Sequence, residues 1–258
     1  MMRGGVAVTA ALGVLATALG VLAAASPFPR HRAPGPMTLL TNEYAYRHPA
    51  DGASARSAGW RVTSGSLFGG GDYLWSGRPD DGRPGPASTP WTGSAVLRAV
   101  TARADYADVV VRFDLRVNGL TQTARTAARR FDGVHVMLRY QSEESTYYVS
   151  ADRRDGRYAI KRKTPGGHSN GGTYVTLAAT DSPSPPVMRS GWHTVEASIH
   201  GTRTVVVSLR IDGLPVLRAV EHKPAADLAP AAGRIGLRGD NCDFLVRGFR
   251  ESPGAIVL

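Results

Sequence analysis

The 258 residues carry 31 Lys and Arg against 21 Asp and Glu, a formal net charge of +10, with 42% hydrophobic residues and one cysteine. That length allows one large β domain or two small ones, and the hydrophobic share suffices for a core. A lone cysteine excludes an internal disulfide and zinc sites built on Cys-x-x-Cys pairs. The arginines are scattered without a run of five or a nucleic-acid-binding motif, which argues against DNA or RNA as a partner. A basic surface still attracts acidic polysaccharide or anionic lipid.

In chain order, residues 1–25 read MMRGGVAVTAALGVLATALGVLAAA. One arginine, an apolar run and the Ala23-Ala24-Ala25 pattern predict a secretion signal cleaved after Ala25, and so an extracellular protein without membrane contact once it is removed. The competing reading is an uncleaved anchor, because residues 4–25 match the roughly 20 that span a bilayer. Residues 26–37 are proline-rich and basic, a spacer in composition.

From residue 38 to 253 the pattern is β throughout. Apolar and polar residues alternate in short segments divided by Gly, Pro, Asn and Asp, which predicts an antiparallel sandwich or barrel forming one domain. In 108–117, Val109, Val111, Phe113, Leu115 and Val117 share one face. The piece at 123–130 has helical propensity but is too short for a stable helix.

Segment 131–163, FDGVHVMLRYQSEESTYYVSADRRDGRYAIKRK, predicts three strands in two hairpins. The loop Ser142-Glu143-Glu144-Ser145 sets Gln141 against Thr146, Arg139 against Tyr148 and His135 against Asp152. The Asp155-Gly156 turn sets Ser150 against Lys161 and Tyr148 against Lys163. All apolar residues then fall on one side, as a correct register requires. The other side carries His135, Arg139, Gln141, Tyr148, Lys161 and Lys163, and the glycine-rich 164–174, TPGGHSNGGTY with Asn170, is expected as a loop beside it. These seven are the candidate ligand-binding residues, with a solvated outer face as the plain alternative. Farther on, 192–200, 204–212 and 234–238 read as strands, with Val205, Val207, Leu209 and Ile211 inward.

The blocks FDGVHVMLRYQSEESTYYVSADRRDG, KRKTPGGHSNGGTYVTL, GWHTVEASIHG, SLRIDGLPV and GRIGLRGDNCDFLVRGFR resemble secreted actinobacterial domains of the concanavalin A-like lectin and glucanase superfamily, the LamG-like jelly rolls. The resemblance runs from about residue 42 to 251 and implies a jelly-roll β-sandwich. It also implies a structural calcium ion between an N-terminal segment and the final strand, here Glu43 and Asp243. The superfamily holds lectins, glycoside hydrolases, lyases and adhesion modules. Retaining glycosidases of this type need two carboxylates about 5 Å apart, and no E-x-D-x-x-E motif occurs here. A lyase needs a cation with His or Tyr, but His135 and Arg139 lie about 13 Å apart along one strand. A monomeric carbohydrate-binding module for an acidic or neutral polysaccharide or cell-wall glycan is therefore expected. The alternatives are an enzyme of the same ligand and a protein-binding adhesion domain.

Overall fold

A computed structural model describes residues 37–40, 54–79, 95–183, 191–222 and 231–254. The segments read as signal and spacer, apart from residue 37, lie outside these, as does Glu43. The described residues contain strands and no helix. The strands are β1 (Thr38–Leu40), β2 (Ser54–Ala55), β3 (Trp60–Ser64), β4 (Phe68–Gly70), β5 (Tyr73–Trp75) and β6 (Val96–Thr101). Then follow β7 (Val109–Leu120), β8 (Gly133–Ser142), β9 (Ser145–Arg153), β10 (Ala159–Gly167) and β11 (Gly171–Ala179). The last five are β12 (His193–His200), β13 (Thr204–Ile211), β14 (Leu214–His222), β15 (Arg234–Asp240) and β16 (Cys242–Pro253).

They form two sheets. One has nine strands in the order β14-β13-β12-β7-β16-β5-β4-β1-β2, the other seven in the order β11-β10-β9-β8-β15-β6-β3. All pairings are antiparallel except β1 with β2. The core lies between the sheets, where the inward residues expected on β7 and β13 meet Val134, Val136 and Leu138 of β8, Tyr147 and Val149 of β9, and Ile235 and Leu237 of β15. Each large apolar side chain buried there contributes about 1.5–3 kcal/mol. Cys242, the first residue of β16, is 3% exposed in the same core.

The expected register holds at the tip of the first hairpin and fails below it. Ser142 pairs with Ser145, as the four-residue loop requires, but Leu138 pairs with Tyr147. Three residues of β8 therefore stand opposite Thr146 alone, a bulge of two extra residues. Arg139 sits in it at φ 49°. Below the bulge, Met137 pairs with Tyr148 and His135 with Ser150. In the second hairpin Gly156 takes φ 69°, yet Ser150 meets Ala159 and Tyr148 meets Lys161, again two residues from expectation. A slip of two leaves the side chains outside the bulge on their predicted faces. The stretch expected as a loop at 164–174 is mostly strand, with β10 and β11 joined by a turn at His168, Ser169 and Asn170.

Candidate ligand-binding site

The face of the seven-stranded sheet that points away from the core carries His135 of β8, Tyr148 and Ser150 of β9, Lys161 and Lys163 of β10, Tyr174 of β11, and Arg238 and Asp240 of β15. It is not a wet surface: His135 is 7% exposed, Tyr148 4% and Lys163 1%. A cavity of about 290 Å³ is set into it, lined by these residues except Lys163, together with Phe131, Arg153, Ser169 and Asn170.

Two tyrosines form the apolar centre. The rings of Tyr148 and Tyr174 lie 5.7 Å apart at 50°, backed by Val100, Met137 and Tyr140. Cations surround them. The Arg238 guanidinium is 5.7 Å from the Tyr148 ring, and the Lys161 and Lys163 ammonium groups are 5.7 and 5.1 Å from the Tyr174 ring. Such placements are attractive because a ring face is electron-rich. The buried hydroxyl of Tyr148 makes no hydrogen bond of normal geometry.

Beneath the rings lies a polar chain. His135 Nδ1 is 3.0 Å from Ser150 Oγ and its Nε2 is 3.4 Å from Asp240 Oδ2. Arg238 donates through Nε to both Asp240 oxygens, at 3.0 and 2.9 Å. Burial pushes the Asp240 carboxyl up, but Arg238 and His135 outweigh it and hold the group well below the usual carboxylate range. Burial lowers His135, with Asp240 opposing, so the imidazole is neutral at pH 7. Burial, then the charges of Arg238 and Arg98, bring the Lys163 amine down to about 8. Burial and Arg153 lower Lys161.

Two positive groups face the cavity with donors left for a ligand. Lys161 has no carboxylate partner among the described residues. Arg238 meets Asp240 through Nε alone, which leaves its terminal nitrogens for a ligand. Asp240 is the one carboxylate in the lining and is committed to Arg238, so a glycosidase acid and nucleophile pair is not assembled from these residues.

Of the seven candidates, His135, Tyr148, Lys161 and Asn170 line the cavity. Lys163 lies beside it and donates to the Asn170 carbonyl at 3.2 Å. Arg139 and Gln141 are corrections. Positive φ at the bulge turns Arg139 off the polar face, where it donates to Ala107 O at 2.8 Å, Gly201 O at 2.8 Å and Asp108 Oδ1 at 3.2 Å. Gln141 is exposed near the hairpin tip and donates to Ala232 O. Tyr174, Arg238, Asp240 and Phe131 were not expected. The alternation Arg234, Gly236, Arg238, Asp240 in GRIGLRGD was the available signal for two of them.

Asp243 Oδ1 accepts from Trp75 Nε1 and Asn118 Nδ2, each at 2.8 Å, and Asn118 in turn accepts from Arg116. Both donors reach the same oxygen, and among the described residues no three His, Cys, Asp or Glu side chains are grouped to hold an ion; Glu43, the other expected ligand, lies outside them.

No family model and no curated protein matches this sequence. Among solved structures, the carbohydrate-binding module CBM66 from Bacillus subtilis is similar with a TM-score of 0.51 at 9% identity, over 83% of this chain and 98% of that one. A Bacillus subtilis protein of unknown function with a galectin-like fold gives 0.50 at 12% identity, over 75% and 89%. Identity this low speaks for the fold alone. The chain is a jelly-roll β-sandwich of the kind found in carbohydrate-binding modules and galectins.

Proposed function

We propose that this protein is a secreted, monomeric carbohydrate-binding module that takes an acidic cell-wall or environmental polysaccharide into the cavity over Tyr148 and Tyr174. The observation that carries the reading is the tyrosine pair with Lys161 and the outer nitrogens of Arg238 beside it. Sugar rings present apolar C–H faces to aromatic rings, and a carboxylate on the sugar gives Lys161 and the outer nitrogens of Arg238 charge-assisted partners. Ser150 and Asn170 offer polar contacts to sugar hydroxyls. The likeness in fold to a carbohydrate-binding module supports the same reading.

A glycan array that includes uronic acid polymers, followed by calorimetry on its hits, tests it. Tyr174→Ala and Lys161→Met should each weaken binding about tenfold or more while leaving the circular dichroism spectrum unchanged. An array without a hit, or hits that ignore both substitutions, would remove the cavity as a carbohydrate site. Ultraviolet absorbance from a C4–C5 unsaturated uronate would replace binding with lyase activity.

A further inference from the structure

We infer that the cavity takes the end of an acidic glycan, one or two sugar residues deep, and not an internal stretch of chain; this rests on the carbohydrate reading above. The cavity is walled where a through-running polymer would need it open. At one end of the strands stand Phe131, just before β8, and Arg153, the last residue of β9. At the other end stand Ser169 and Asn170, in the turn between β10 and β11.

These walls are held in place. Arg153 donates to both oxygens of Asp155 at 2.9 and 2.7 Å. The turn is tied by Ser169 N to Gly172 O at 2.9 Å and by Lys163 to Asn170 O. Side chains cannot be added there cheaply: a Cβ on Gly172 would lie 2.9 Å from the backbone oxygen of Thr164. Across the strands the path beyond β15 is also occupied. Arg98 of β6, paired with Arg238, is buried and ion-paired at 2.9 Å to Glu143, which reaches over from the β8–β9 turn.

The volume agrees with the walls. About 290 Å³ sits at the lower edge of the roughly 300–1,000 Å³ of clefts that enclose drug-sized molecules. That accommodates a sugar or two. Lys161 and the outer nitrogens of Arg238 inside it would meet the acid group of the terminal residue, while the rest of the chain leaves into solvent.

The test is calorimetry of the purified protein against glucuronate, galacturonate and mannuronate oligosaccharides of one to six residues, with the parent polymers. For the series that binds, affinity should rise about tenfold from one residue to two and stay within twofold from two to six. Polymer binding should track the concentration of chain ends rather than of mass. Modifying one end, either by reduction to the alditol or by carrying an unsaturated residue at the non-reducing end, should weaken binding at least tenfold. Affinity that climbs steadily with length, or that ignores both end modifications, overturns end recognition and leaves the carbohydrate reading standing. No binding anywhere in the panel overturns both. Phe131→Ala removes an exposed wall residue without touching the core; it should narrow the gap between end-modified and unmodified chains, and an undiminished gap counts against the wall.

Discussion

Lys163 shows how a single residue is shaped by its surroundings. The residue is 1% exposed, and its amine is brought down to about 8 because burial disfavours the charge, with Arg238 and Arg98 adding repulsion. An unfolded chain keeps that proton up to the ordinary lysine value of about 10.4. Between pH 8 and 10 the unfolded state therefore binds more protons, and this residue makes stability rise with pH. Below pH 8 the folded protein carries a buried charge at a cost. Lys163→Met should be more stable than wild type at pH 7, and the advantage should shrink by pH 9.5 in urea unfolding. A difference that stays constant with pH would show that the amine is hydrated. The tyrosines whose phenols are raised by burial, Tyr106, Tyr140, Tyr147, Tyr158 and Tyr174, oppose this trend as their unfolded phenols ionise towards pH 10, but they are common to both proteins and cancel in the difference.

Strand β8 explains how much of the site was legible. Alternation alone places His135, Tyr148 and Lys161 on one face, because the period of a strand is two and slips by two do not matter. The bulge at Arg139 was not legible. Nothing local in MLRYQ marks a residue in the left-handed region, which is uncommon outside glycine, and the conformation is held by distant acceptors on Ala107, Asp108 and Gly201. Arg238 and Asp240 escaped notice for a related reason. They join the site because β15 pairs with β8, a contact between segments about a hundred residues apart that no short window contains. Arg139→Ala should therefore act on stability, leaving two backbone carbonyls short of a donor at about 2–4 kcal/mol in total. Its folded fraction should bind glycan as wild type does. A loss of affinity without a loss of stability would return Arg139 to the ligand site.

At the scale of the molecule, the sandwich follows from the apolar alternation of β7, β13 and their neighbours, whereas the order of strands within the two sheets is fixed by pairings far apart in sequence. The calcium expectation belongs here too, since an ion tying an N-terminal segment to β16 would stabilise the whole fold by mass action. The N–H donors on Asp243 occupy Oδ1 alone, so an ion shared between Oδ2 and residues outside those described should raise the melting temperature in added calcium over that in chelator; identical melting temperatures would remove the site. Cys242 offers a different use of the same strand. Its thiol lies in the core where β16 begins, opposite Leu120 of β7, so a thiol reagent reaches it only when that strand pair parts. Labelling then becomes a clock for the opening of the two longest strands, read at a single atom. The reaction should be slow in buffer, accelerate with denaturant in step with global unfolding, and finish at one label per chain; rapid labelling in buffer would mean that the first turn of β16 opens on its own.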